Sequence, residues 1–406
     1  MSNDLLTHQK IAREAAKILT EESPFISNIN RGRQDEFGQA IDGYKIGDTV
    51  KIEIPPTGEV FDGANFGGSV GGSASDVTQS SVTLTVDTQK HIALQFGSKE
   101  KKLDIASFSE KILRPQMQTL SSVIEADLLQ KAIISVPNLV GTLGTTPTAM
   151  KTYAQARAKL QQYLAPPGDR SCIFSSDANV ELVDASKALF HANAAIERGF
   201  LRGTLGEAQG AMFYESQNTP TITNGSQVAS LLVNGTVADG DTSMGIDGGT
   251  TTNTVKKGAI FTVASVYRVH PLTGTASSEL QQFVVTEDLT LASGAGTLKF
   301  YPAMNHTAPN KTVSALPADN AALTFSGSAS TGYAQGMMFQ KGAFTAAFVP
   351  LAKVAGSEGY TARLPNGISV RVMTYGNGDA DYERTRIDVL YGFQAVRPLH
   401  ACRIAG

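Results

Sequence analysis

Apolar residues recur at helical spacing near the start of the chain, at Ile11, Ala15, Ile18 and Leu19, with Lys10, Arg13, Glu14 and Lys17 elsewhere around the turn. The pattern predicts a short amphipathic helix, stopped by Pro24. The polar stretch Asn28 to Gln39 that follows offers it little core, so the segment is expected to be an arm that docks on another surface. The period then changes to two. Val50, Ile52 and Ile54 alternate with Lys51 and Glu53, and Val82, Leu84 and Val86 alternate with Thr83 and Thr85, continuing through Ile92, Leu94 and Phe96. Between these two expected strands lies Thr57 to Ser80, with the run Gly67-Gly68-Ser69-Val70-Gly71-Gly72-Ser73. That is far longer than a hairpin turn needs, so a long flexible tip on a two-stranded ribbon is expected.

From Arg114 to Ser135 the helical period returns: Met117, Leu120, Ile124, Leu128 and Ile134 form one stripe, with Pro115 where a first turn tolerates it. A second helix is predicted over Pro147 to Leu164, ended by Pro166-Pro167-Gly168, then a short strand around Cys172 to Phe174. A third helix, capped by Asp177, is predicted to run through Leu189. Between about Thr221 and Ser330 short β-like runs alternate with Gly, Asn, Asp and Thr clusters, as expected of a separate all-β domain. Helical and strand patterns resume at Gly336 to Pro350 and at Ile368 to Ile404, which makes that domain an insertion rather than a tandem unit.

Length and composition narrow the class. A chain of 406 residues exceeds one ordinary core, so two or three folding units are expected. With 34 basic and 37 acidic residues the net charge is −3, which excludes the basic field of a dedicated nucleic-acid binder. Charged residues make up 17% and Trp is absent, which suits a β-rich protein with long loops. Cys172 and Cys402 stand in no metal or redox spacing and read as two reduced thiols. The run Leu5 to Leu19 is broken by charges, so no signal peptide is expected, and no apolar run is long enough to span a membrane.

Candidate chemistry is sparse. The Gly67 to Gly72 run lacks the Gly-Lys-Ser/Thr ending and the following helix that a phosphate cradle needs. His8, His91, His191, His270, His306 and His400 have no metal-ligand spacing, and no Cys/His set occurs. Neither an enzyme nor a cofactor or metal is expected. The Asn-x-Ser/Thr matches at Asn224, Asn234, Asn305 and Asn310 read as loop composition. Lys99, Lys101 and Lys102 form a basic cluster expected at a solvated strand end.

The closing run Thr385-Arg-Ile-Asp-Val-Leu-Tyr-Gly-Phe-Gln-Ala-Val-Arg-Pro398 resembles the last strand and turn of tailed-phage coat proteins with the Hong Kong 97 fold, most of all the P22 coat protein family, where Arg-Ile, Tyr-Gly, Ala and Arg-Pro recur at this spacing. Collinear support comes from Asn3-Asp4 through Ser23-Pro24-Phe25, similar to that family's N-arm, and from Met117 to Asn138, similar to its long spine helix. Gly199 to Gly203 before Ala211 to Glu215, and Met337-Met338-Phe339 with Ala343-Phe344, also resemble it. Val255 to Gly258 with Phe261 to Val263 and Val284 to Thr286 resembles its β-barrel insertion.

The resemblance implies an α+β capsid fold: N-arm 1–44, extended loop ribbon 45–101, peripheral domain with spine helix 102–146, apical domain 147–220, β-barrel insertion 221–330, apical return 331–358 and C-terminal peripheral strands 359–406. It implies a major capsid protein of a tailed double-stranded DNA phage, forming pentamers and hexamers of an icosahedral shell in the host cytoplasm. The implied partners are copies of itself, a scaffolding protein, a portal protein at one vertex and packaged DNA held non-specifically, with no membrane. Asn234 to Thr254, with Asp239, Asp241 and Asp247, matches by position the loop that reaches between capsomers, and Glu14 an acidic N-arm residue that meets the scaffold. A bacterial encapsulin-type nanocompartment shell would share the closing motif but normally lacks the inserted barrel. A secreted β-rich adhesin is opposed by the missing signal and the internal helices.

Some phage shells crosslink through a Lys at the tip of the extended loop, but Thr57 to Ser80 contains no Lys. Mature particles boiled in detergent are therefore expected to run as a single 42.8 kDa band on a denaturing gel, and a ladder of covalent multimers contradicts this.

Overall fold

The computed structural model of the chain describes residues 8–21, 23–32, 49–55, 80–97, 114–186, 206–307, 310–364, 367–377 and 382–406. The helices among them are α1 (His8–Glu21), α2 (Pro24–Asn28), α3 (Arg114–Ser135), α4 (Met150–Gln162) and α5 (Ser176–Ser186). Strands β1 (Thr49–Ile54) and β2 (Ser80–Gly97) precede α3. Then come β3 (Leu139–Val140), β4 (Arg170–Phe174), β5 (Glu207–Ala208), β6 (Ala211–Glu215) and β7 (Thr221–Thr223). Next are β8 (Leu232–Val233), β9 (Asp241–Asp247), β10 (Thr254–Val255), β11 (Ile260–Val269), β12 (Ala276–Val285), β13 (Leu289–Thr290), β14 (Gly296–Met304) and β15 (Leu323–Phe325). The last are β16 (Gly332–Gln340), β17 (Phe344–Val349), β18 (Glu358–Arg363), β19 (Ser369–Asn377), β20 (Tyr382–Ala395) and β21 (Ala401–Ala405). The chain forms two compact units, one of Met1–Ile52, Val82–Leu129 and Phe344–Val396, the other of Glu53–Ser81, Gln130–Ala343 and Arg397–Gly406.

The first unit is a sheet in the order β1-β2-β20-β19-β18, with β17 also paired to β20. Helix α1 lies on β18 and β19, burying Ile11, Ala12, Ala15, Ala16, Ile18 and Leu19. Small alanines let the helix backbone approach closely. The arm expected to lack a core thus docks on its own chain: Phe25 is fully buried against Phe344 and Phe393, and Asn30 hydrogen-bonds Phe344 and Ala346. Burial of one such phenylalanine contributes about 2–3 kcal/mol. The predicted strand Val82 to Phe96 lies within β2, which pairs with β20 from Val86 to Gly97. The ribbon's tip residues Gly67, Gly68, Gly71 and Gly72 lie outside the described residues, as do Lys99, Lys101 and Lys102.

The closing motif is the middle of this sheet. Ile387, Val389 and Tyr391 are fully buried, as their alternation predicts, but Asp388 between them is buried too. It takes hydrogen bonds from Arg371 Nη2 at 2.9 Å, Arg386 Nε at 2.6 Å and Gln89 Nε2 at 2.9 Å. Tyr391 donates to Asp127 Oδ2 on α3 at 2.8 Å. At Gly392 the neighbouring strand comes so close that a Cβ would sit 2.2 Å from the Thr85 carbonyl oxygen.

In the second unit a mixed sheet runs β3-β21-β16-β4-β6-β5, with β7 added to β16. Helices α4 and α5 cover one face: Tyr153, Ala156 and Leu160 pack with Ala178, Leu182, Phe174, Phe213, Met338 and Ile404. Helix α5 starts two residues earlier than Asp177 would place it, because Ser175 Oγ accepts the Ala178 amide and so provides the cap. The inserted sheet runs β15-β11-β12-β14-β9-β8, and its ends meet through a Leu232–Ala322 bridge and the bond from Leu323 N to Leu231 O. This closes a six-stranded barrel. Phe261, Phe283, Phe300 and Phe325 fill it, with ring centroids 5.3 to 6.1 Å from Phe261.

The Gly392→Ala variant is expected to lose about 2–3 kcal/mol of stability, read as a shift in the urea unfolding midpoint, because the added methyl must displace the β2 backbone. An unchanged midpoint contradicts the close approach.

Candidate functional site

The inserted barrel leaves and rejoins the sheet through two strands that lie side by side. Thr221, Ile222 and Thr223 of β7 pair with Ala334, Tyr333 and Gly332 of β16. Asn224 continues the neck by donating its side-chain amide to the carbonyls of Ser326 at 2.9 Å and Ser328 at 3.2 Å. Gly225 then passes so near β10 that a Cβ would fall 2.0 Å from the Thr254 carbonyl oxygen. Adjacent in-going and out-going strands are what an insertion requires, and they let the barrel form without disturbing the sheet.

Side chains fasten the barrel a second time. Lys159 Nζ on α4 lies 2.8 Å from Glu279 Oε2 on β12, and Arg268 Nε approaches the same carboxylate at 3.7 Å. The Arg268 guanidinium also stands 6.0 Å from the Tyr163 ring centroid, and Tyr163 donates to Gln281 Oε1 at 3.1 Å. The Lys159 hydrogen bond holds the Glu279 carboxyl below the usual range, and burial pushes the Tyr163 phenol up to about 12. Both keep the protonation states that the contacts need near neutral pH.

Beneath this polar rim the contact is backbone-like and apolar. Gln282 makes a two-way amide bond with Leu139, accepting its N–H at 3.0 Å and donating to its carbonyl at 3.1 Å. Leu139, Ile260 and Ala405 pack together. Arg403 is fully buried and donates to the Gly258 carbonyl at 2.7 Å; burial lowers its pKa to about 9. The 3₁₀ turn Pro398–His400 leads into β21, and His400 is buried there with its pKa lowered to about 4, first by desolvation and then by the nearby Arg397 charge.

The residues expected to act between capsomers are not gathered on a loop. Asp241 to Asp247 is strand β9, paired with β14 and β8 inside the barrel wall. Asp241 and Asp247 stand at its two ends, about 20 Å apart for six strand steps. Asp239 precedes the strand, where the Thr307 hydroxyl and the His306 amide donate to its carboxylate and hold its pKa down. Glu14 is exposed on α1, on the face away from β18 and β19. Sequence reading missed the seam residues Lys159, Tyr163, Arg268, Glu279 and Gln282, which have no local signature. Among the described residues no group of three or more His, Cys, Asp or Glu is set to hold a metal ion, and no helix is long and apolar enough to cross a membrane.

The second unit thus carries a closed barrel joined to its mixed sheet by a two-stranded neck and a side-chain rim. The chain belongs to the P22 coat protein family, whose model (P22 coat protein, gene protein 5) matches residues 44–404. It is therefore a phage major capsid protein, which works in an oligomeric shell and has its place in the virion capsid. No curated protein matches it. Among solved structures it is similar to one from Mycobacterium phage Che8, with 13% identity, 94% of this chain and 90% of that one covered, and a TM-score of 0.49. The capsid structure of cyanophage P-SCSP1u gives 11%, 94%, 98% and 0.44, and a virus-like particle from Pyrococcus furiosus gives 8%, 97%, 97% and 0.38.

The buried neutral His400 makes stability depend on acid. Its folded pKa, about 4, lies below the unfolded value of 6.5, so the unfolded chain takes up the proton first. Stability should fall between pH 6.5 and pH 4 by up to about 3 kcal/mol from this group, and level off below. Urea melts of the His400→Gln variant across that range should lack this component, and a slope identical to that of the unsubstituted protein contradicts it.

Proposed function

We propose that this chain is the subunit of an icosahedral shell built from pentamers and hexamers, enclosing double-stranded DNA and held without covalent crosslinks. The observation that carries this reading is the family match over residues 44–404. In it, the chain divides into the arm, ribbon, peripheral, apical and inserted parts whose limits the resemblance implies. Assembly runs in the host cytoplasm around a scaffolding protein, with a portal at one vertex. No subunit carries a catalytic step. Each contact between copies is weak, and closure of a symmetric shell multiplies it many times per particle.

The acidic residues take assembly roles in this reading. Glu14, exposed on α1, offers a carboxylate to a basic scaffold segment. Asp239, Asp241 and Asp247 act from two ends of the barrel wall, so they serve two separate contacts between capsomers rather than one acidic tip.

Electron microscopy of the purified protein, with and without its scaffold, is the test. Closed shells with five- and six-fold capsomers are expected, and Glu14→Lys should lower the yield of regular shells only when the scaffold is present. Filaments, soluble monomers at every concentration, or an equal effect without scaffold contradict the respective parts.

A further inference from the structure

The two helices on the sheet of the second unit carry opposite charge. Helix α4 contains Lys151, Arg157 and Lys159 and no acid; helix α5 contains Asp177, Glu181 and Asp184 and no base. Lys159 is already committed to Glu279, which leaves Lys151 and Arg157 as the exposed cations of α4. On α5 the exposed residues Asp177, Val180, Glu181 and Asp184 fall within an arc of about 100° at 100° per residue. Val180 is 69% exposed at one edge of that arc, and Leu164, just past the end of α4, is 42% exposed.

The helices also occupy different parts of the layer. Helix α4 touches β3, β21 and β16, whereas α5 is tied to β6 by the bond from Asn179 to Glu215 at 2.8 Å. In the sheet order β3-β21-β16-β4-β6 these strands lie on opposite sides of β4. One copy therefore carries exposed basic residues over one part of the layer and exposed acidic residues over another.

We propose that these basic and acidic residues meet between copies: α4 of one subunit packs against α5 of the next around a capsomer, with Lys151 and Arg157 facing Asp177 and Glu181, and Leu164 beside Val180. The occupant is a second copy of this chain, because the complementary charge is carried on the same unit. A contact between two different patches is heterologous, and such contacts close into rings, which a capsomer is. A contact of one patch with itself would set like charges together on either flank. The inference rests on the shell reading above.

The experiment uses the full chain in three forms: Asp177→Lys with Glu181→Lys, Lys151→Glu with Arg157→Glu, and all four together. Circular dichroism and thermal unfolding first confirm that each folds, and light scattering with electron microscopy then reads assembly. Either double reversal is expected to cut the shell yield about tenfold, the scale of two or three weakened surface pairs. The fourfold exchange should return the yield to within about threefold of the unsubstituted protein, and added salt should slow assembly of both. Reversals that fold yet assemble normally overturn the proposal. So does a fourfold exchange that folds but does not recover, since each flank then meets some other partner. If a reversal fails to fold, Asp177→Asn with Glu181→Gln replaces it and should flatten the salt dependence of assembly; an unaltered dependence overturns the proposal equally. Absence of shells from the unsubstituted protein would instead count against the shell reading itself.

Discussion

Strand β16 is the constraint on which the second unit rests. Its first three residues close the neck of the barrel against β7, and Met337 to Phe339 pair on both edges, with β21 and with β4. A slip of one residue would turn Met338 out of the core it shares with Cys172 and Cys402 and would break the neck at the same time. The barrel is thus hung from a strand that has no alternative register. Its placement follows from backbone hydrogen bonds first, and the rim of Lys159, Glu279, Arg268 and Tyr163 adds to a geometry already set.

Two charge clusters are handled differently, and solvent explains the difference. Glu279 is 48% exposed, so its pairing with Lys159 contributes about 0–1 kcal/mol and costs little to break. Asp388 is fully buried, with two arginines and a glutamine around it. Removing one partner there would leave an uncompensated charge in a low-dielectric site, a loss of about 3–5 kcal/mol. The buried cluster specifies how β2, β19 and β20 align, whereas the exposed rim can give and re-form.

What could be read in the sequence depended on whether one period dominated locally. Helix α3 spans the predicted Arg114 to Ser135 because a sustained stripe and Pro115 fix both face and start. The all-β character of the insertion was legible from its spacing of strand and turn residues. Strand β9 was not, because Met244 and Ile246 are its only apolar positions and Gly245 sits between them, a glycine required where a Cβ would lie 2.6 Å from the Asn234 carbonyl oxygen. The cap of α5 was misplaced by two residues because Ser175, Ser176 and Asp177 can all cap, and only geometry selects the first. The arm's docking on β18 and β19 and the seam across β12 join residues far apart in the chain, and no local pattern encodes such partners.

The closing motif carries so much of the family resemblance because several constraints fall on the same few residues. Gly392 has no clearance for a side chain, Tyr391 must reach Asp127 on α3 with its hydroxyl, and Asp388 must be met by Arg371, Arg386 and Gln89. A position under one constraint can change if its partner changes. Neighbouring positions that answer to three different elements cannot be altered together without rebuilding all three, since contacts within one network do not add independently. Burial also pushes the Tyr391 phenol well above its ordinary pKa, so it stays a donor to Asp127 throughout the physiological range. The motif is therefore a packing and hydrogen-bonding junction, and its information content reflects the number of strands and helices that β20 must satisfy at once.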